Sequence, residues 1–159
     1  MKINLVSVIQ LFAAVGLPLA LGAVAGIFTA RAIPEWYATL NQPSFNPPNW
    51  VFGPVWTVLY ILMGISLFLV WRTPPGNERN IAMAVFFLQL LLNFAWSFLF
   101  FHYHRIGLAL AEIVVLWLAI LVMIILFYRI RPAAAWLNIP YILWVSFATV
   151  LNAAYFNLN

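Results

Sequence analysis

The chain contains no cysteine and no aspartate, and only three of its 159 residues, all glutamates, are acidic. Without cysteine there is no disulfide framework, no thiolate nucleophile and no thiolate metal site. With so few carboxylates, much hydrolytic and metal chemistry is excluded before any motif is sought. Charge of either sign is scarce. Only 6% of the residues are charged, against about 25% in an ordinary soluble domain. A chain this poor in charge cannot cover a surface that faces water, so its solvent is lipid. The net charge of +4 comes from seven cations scattered singly, without a basic run. That pattern excludes a nucleic-acid partner.

What is present is apolar: 67% of the residues are hydrophobic. Five apolar stretches fall at about 5–28, 48–71, 80–101, 107–128 and 134–157, each near the roughly 20 residues that span a bilayer. Backbone groups in lipid must be satisfied within their own segment, so continuous apolarity of this length predicts helices. The fold class is an all-α membrane protein, a five-transmembrane-helix bundle forming one domain over residues 1–159. The first run exceeds the roughly 7–15 residues of a signal-peptide core, so it is expected to be a retained span. The connections are short and polar, RTPPGNER (72–79), HYHR (102–105) and RIRP (129–132), except for a long first loop at about 29–47. Lys2, Arg72, Arg79, Arg129 and Arg131 fall on one side of the membrane, Arg31 and Arg105 on the other. This bias predicts a cytoplasmic N-terminus, with the long loop outside.

The stretch PSFNPPNWVFGPVW (43–56) holds four prolines and no charge. Asn46 with Pro47 and Pro48 reads as an N-cap and helix start. Pro54, farther in, is expected to bend the helix and release the carbonyl of Trp50. Pro18 would free the carbonyl of Ala14 in the same way, and Pro140 that of Trp136. Three interrupted helices imply an internal cavity, since broken backbone at membrane depth is tolerated where protein or a cavity covers it. The plainer alternative is that proline is simply commoner in membrane helices.

Eight tryptophans are present. Trp36, Trp50, Trp71 and Trp136 lie near predicted helix ends, where interfacial belts form. Trp56, Trp96, Trp117 and Trp144 lie deeper, where an indole N–H requires an acceptor. Helical spacing aligns Trp56 with Tyr60, Asn93 with Trp96 and Phe100, and Tyr141 with Trp144, Ala148 and Asn152. Asparagine in lipid faces protein or water, so Asn93 and Asn152 point inward with their aromatic neighbours. Either these residues wall a cavity for a large planar ligand, or the asparagines bond helix to helix. Glu112, the one acid well inside a span, is expected to pair with Arg105 or His104. His102 and His104, without a third ligand, make a weak metal site; a solvated loop is the expected reading over a haem ligand. Gly22 and Gly26, and more loosely Gly107 and Ala111, are spaced for close helix approach within or between subunits.

Three segments, WYATLNQPSFNPPNWVFGPVWTVLY (36–60), QLLLNFAWSFLFF (89–101) and PYILWVSFATVLN (140–152), resemble the TspO/MBR family, the translocator proteins or tryptophan-rich sensory proteins once called peripheral benzodiazepine receptors. The resemblance covers essentially the whole chain. It implies a five-helix bundle, usually a homodimer, with a ligand cavity beneath the first loop. It also implies ligands: porphyrins such as protoporphyrin IX and haem, isoquinoline carboxamides and benzodiazepines, bound as ligands rather than required cofactors. Bacterial members are linked to tetrapyrrole regulation and stress responses. Carried over by motif, Trp36 lies near the pocket mouth and Trp56 deep in the pocket. Asn93 and Trp96 come from the third span, and Trp144, Ala148 and Asn152 from the fifth. Trp50, Tyr60, Phe100 and Tyr141 complete the candidate ligand-binding set. Trp56 and Trp144 are also the candidate catalytic residues should the chain degrade porphyrin in light.

Two departures stand out. The family's loop motif usually reads Lys-Pro, where this chain has Gln42-Pro43, so a cation able to meet a propionate is absent. A cholesterol motif needs a cation after Leu151 and Tyr155, and the following FNLN has none. Cholesterol is therefore a doubtful partner, and a bacterial cell membrane is the expected location, with membrane lipids as the surroundings. Three functions remain open: a tetrapyrrole receptor or sensor, a photo-oxidative enzyme without a conventional catalytic constellation, and a transporter of porphyrin or another lipophile, for which no inverted repeat is visible.

Overall fold

The computed structural model describes residues 5–159, and Lys2, one of the orienting cations, lies outside them. Among the described residues the chain is helical throughout. Its order is α1 (Leu5–Glu35), a 3₁₀ turn (Tyr37–Thr39), α2 (Asn49–Trp71), α3 (Asn77–Ser97), a π turn (Phe98–His102), α4 (Ile106–Ile130), α5 (Pro132–Trp136) and α6 (Ile139–Leu158). The short α5 and α6 together make the last crossing, so five helical segments are long and apolar enough to span a membrane. The chain is a multi-pass integral membrane protein. α1 packs chiefly on α2, and α4 packs on α3, α5 and α6. The ends alternate, so Arg72, Arg79, Arg129 and Arg131 share one end of the bundle, while Arg31, Arg105 and the first loop share the other.

The first helix runs one to two turns beyond the apolar stretch, through Arg31 to Glu35. A helix need not stop where apolarity stops, because its backbone bonds remain satisfied in water. The loop is correspondingly shorter and is held by its own side chains. Asn46 does not cap α2: Pro48 occupies the N-cap position without a side-chain cap bond. Instead the Tyr37 hydroxyl donates to Asn46 Oδ1 at 2.9 Å, and Asn46 Nδ2 donates to Gln42 Oε1 at 3.1 Å. Asn41 and Asn159 clasp each other, Asn41 N–H donating to Asn159 Oδ1 at 2.9 Å and Asn159 Nδ2 to Asn41 O at 3.2 Å.

Two of the three prolines lie within continuous helices, and the third lies at a helix start. α1 continues through Pro18, and α2 through Pro54. The carbonyl freed by Pro18, that of Ala14, is covered by packing rather than by a cavity. A Cβ on Gly64 of α2 would lie 2.8 Å from that oxygen and 2.4 Å from Val15 Cα. Only glycine lets the two backbones meet there, and its Cα–H groups face the spare carbonyl. Pro140 stands at the start of α6, not inside a helix. The break lies just before it, at Leu137 and Asn138. There the carbonyl of Ala134 accepts from Ser66 Oγ at 2.7 Å and from Asn138 Nδ2 at 2.9 Å. Side chains thus supply the donors that the broken backbone withholds.

Around Gly64 the interior is close-packed: Met63, Val70, Ala82, Phe86, Ile120, Met123 and Phe127 are fully buried. Glu112 lies on the inward part of α4, and neither Arg105 nor His104 reaches it. Both carboxyl oxygens are buried without a hydrogen-bond partner. His104 turns away to stack on Trp36, ring centroids 4.1 Å apart.

Candidate ligand-binding cavity

Toward the loop end the bundle opens into a cavity of about 590 Å³. One wall comes from α1, and it is made of small residues: Gly22, Ala23, Gly26, Thr29 and Ala30. The spacing that suggested close helix approach serves a different end. Gly22 makes room for the Tyr60 ring, whose Cε2 lies 2.2 Å from where a Cβ would stand. At Gly26 a Cβ would meet nothing within 4 Å, so this position faces open space. At Gly107 the neighbour is the ring of Phe156 rather than a helix backbone.

The facing wall is aromatic. α2 brings Phe52, Trp56 and Tyr60; α3 and the π turn bring Trp96, Phe100 and Phe101; α6 brings Trp144 and Tyr155. Trp96 stacks on Phe100 at 5.2 Å, and Trp56 on Tyr60 at 5.4 Å. The π turn is closed by Tyr103 N–H donating to the Phe98 carbonyl at 2.8 Å. It widens the helix locally, a distortion that recurs at functional sites, and the consecutive rings of Phe100 and Phe101 both face the cavity.

The sequence-predicted residues divide into three groups. Trp56, Tyr60, Trp96, Phe100, Trp144, Ala148 and Asn152 line the cavity. Asn93 and Tyr141 do not line it; they are buried behind it. The Tyr60 hydroxyl donates to Asn93 Oδ1 at 2.7 Å, Asn93 Nδ2 donates to Tyr141 Oη at 3.1 Å, and the Tyr141 hydroxyl donates to Gln89 Oε1 at 2.8 Å. This buried chain ties α2, α3 and α6 together and fixes the Tyr60 ring in the cavity floor. Asn93 is therefore helix-to-helix glue, and Asn152 does both jobs: it accepts from Trp96 Nε1 at 3.1 Å, donates to the Ile106 carbonyl at 3.1 Å and still borders the space. Trp36 and Trp50 form the third group. Trp36 sits behind the wall, edge-on to Phe100 at 5.5 Å. Trp50 lies at the start of α2 and is 75% exposed, away from the cavity.

Sequence reasoning missed Phe52, Phe101, Tyr37, Tyr155 and the whole α1 wall. The α1 wall did carry a signal: glycines and alanines recur at 22, 26 and 30, on one helical face.

Chemically the cavity is a flat-walled apolar slot with few polar groups. Trp96 and Trp117 spend their N–H groups inside the chain, Trp117 on Ser146 Oγ at 2.8 Å. The indole N–H groups of Trp56 and Trp144 find no acceptor among the described residues. No charged residue is among the described residues lining the space. Nor do the described residues gather three or more histidine or carboxylate side chains into a group able to hold a metal ion.

A family model of the TspO/MBR family matches residues 14–158. The Tryptophan-rich protein TspO of Archaeoglobus fulgidus is 40% identical over 153 residues, covering 96% of this chain and 99% of that protein. The human Translocator protein is 39% identical over 120 residues, 74% of this chain and 71% of that protein. The Tryptophan-rich sensory protein of Cereibacter sphaeroides is 37% identical over 125 residues, 79% of this chain and 77% of that protein. With a family match over residues 14–158, the chain belongs to the TspO/MBR family of membrane proteins.

Proposed function

We propose that the protein is a membrane receptor for porphyrins, protoporphyrin IX and haem among them, and for other planar lipophilic ligands, feeding a tetrapyrrole-dependent response. One observation carries this reading: a cavity of about 590 Å³ walled by the rings of Trp56, Trp96, Trp144, Phe52 and Phe100, with two indole N–H groups that find no acceptor among the described residues. The volume falls within the roughly 300–1,000 Å³ of small-molecule sites. Flat rings favour a flat ligand, and the free indole donors at Trp56 and Trp144 suit a carbonyl or ring acceptor on it. Isoquinoline carboxamides and benzodiazepines offer the same combination of aromatic plane and acceptor. With no cation in the lining, the propionates of a porphyrin gain little inside. The macrocycle is the recognised part, and the diester should bind at least as tightly as the free acid. The names of the relatives, a sensory protein and a translocator protein, fit a receptor or a carrier of such ligands.

Titration of protoporphyrin IX into the protein in micelles tests the reading. Tryptophan emission should be quenched saturably, with one ligand per chain. Trp144→Ala should weaken binding about tenfold, through lost ring area and one lost donor. Unchanged affinity in that variant would mean the ligand sits elsewhere.

A second reading rests on Trp56 and Trp144 both opening onto the cavity. Light-driven breakdown of bound porphyrin would then run through these indoles, and Trp56→Phe should slow bleaching without abolishing binding. We place the protein in a bacterial cell membrane as a homodimer with its N-terminus in the cytoplasm. The four arginines at the end opposite the loop support that orientation. Cross-linking in native membranes and protease accessibility of the loop test both points.

A further inference from the structure

The arginine-bearing end of the bundle, opposite the cavity, holds a second hollow of about 250 Å³. It lies between the last turns of α4 and the short α5, where the break at Leu137 and Asn138 sets α5 apart from α6. Ile124, Ile125, Tyr128 and Arg129 line one side, Trp136 and Ile139 the other. Tyr128 and Trp136 are largely exposed at the helix ends, the depth at which such rings meet lipid headgroups.

The arginines at this end are not equivalent. Arg72 bonds to Ser7 Oγ, and Arg79 Nη1 donates to the Thr73 carbonyl at 3.0 Å. Both are committed to the chain's own acceptors. Arg129, in the groove, and Arg131, two residues beyond, find no hydrogen-bond or ion-pair partner among the described residues. Glu78, the acid nearest this end in the helix order among the described residues, pairs with neither. An unpartnered guanidinium group, that of Arg129, therefore stands in the lining of an apolar furrow. The complement of that arrangement is an anion joined to a hydrocarbon chain. Guanidinium binds phosphate oxygens in a two-pronged fashion. A zwitterionic headgroup would bring its own cation beside it and lose part of the gain.

We infer that this groove is a binding site for an anionic phospholipid, its phosphodiester held by Arg129 and one acyl chain lying along Ile124, Ile125 and Ile139 beneath Trp136. The site is independent of the proposed porphyrin cavity, because it shares no residue with it.

Native mass spectrometry of the full chain, titrated with phosphatidylglycerol or phosphatidylcholine of identical acyl chains, tests the site. The wild type should retain phosphatidylglycerol in preference. Arg129→Gln should lower that affinity about fivefold and lower that for phosphatidylcholine less. Ile125→Trp, which fills the furrow without changing charge, should lower retention of both. Arg105→Gln removes the same charge at the far end and should alter neither. Equal retention of the two lipids by the wild type, or an equal effect of Arg105→Gln and Arg129→Gln, would overturn the assignment. Where a variant folds poorly by circular dichroism, the unmodified groove still decides. Phosphatidylglycerol with brominated chains should quench the emission of Trp136, read as the difference between wild type and Trp136→Phe, more than brominated phosphatidylcholine at the same mole fraction. Equal quenching would overturn it as well.

Discussion

Gly26 and Gly64 sit on neighbouring helices in the two halves of the same bundle, and their surroundings are opposite. At Gly64 an added Cβ would strike backbone, 2.4 Å from Val15 Cα. At Gly26 it would meet nothing within 4 Å. What separates them is the neighbour. In the close-packed half, glycine lets α1 and α2 touch along their backbones. In the cavity half, glycine and alanine face rings that are braced by others and cannot collapse onto them. Tyr60 marks the border: its ring covers Gly22, and its hydroxyl is held by Asn93 at 2.7 Å. The hollow thus comes from pairing a small-residue wall with a rigid aromatic one.

Substitutions that exchange the roles of the two halves test this contrast. Gly64→Leu should have the largest effect. The contact is with backbone, which cannot rotate away, so stability should fall by about 3 kcal/mol, seen as a lower midpoint in denaturant unfolding. Gly22→Ala comes next. Its methyl group pushes on a tyrosine ring rather than on backbone, so the ring shifts and the Tyr60–Asn93 bond is lost. A loss of about 1 kcal/mol is expected, together with weaker porphyrin binding, because the cavity floor moves. If ligand affinity held while stability fell, Tyr60 would not be the floor. Trp50→Ala should do least. This ring is 75% exposed and lies outside the lining, so porphyrin affinity should stay within about twofold of wild type, the scale of a surface change. A tenfold loss would return Trp50 to the site.

Much of the bundle was legible in the sequence, because uninterrupted apolar runs of bilayer length leave the backbone no other choice than helix. The ends were less so. Arg31 and Glu35 lie inside α1 because charge ends a membrane span without ending a helix. Three prolines in the spans suggest a cavity or nothing more than the usual frequency of proline in membrane helices, and in the structure Pro18 is absorbed at a tight seam while Pro140 follows a break that Ser66 and Asn138 satisfy. Seven of the proposed lining residues do border the cavity, since inward aromatic residues at helical spacing share a face. Asn93 and Tyr141 have that spacing too and instead bond to each other. Spacing shows that a residue points inward; it does not distinguish facing a void from facing a partner. The π turn at Phe98–His102 left no mark in the pattern of apolar residues, and so Phe101 was missed.

On the proposed function, the space beside Gly26 is the ligand's place. Gly26→Phe puts a ring into that space without touching packed backbone. Its porphyrin titration and its unfolding curve, measured side by side, test this most directly. Saturable quenching should disappear while the unfolding midpoint stays at or above that of the wild type. Undiminished porphyrin affinity in a folded Gly26→Phe protein would contradict the account.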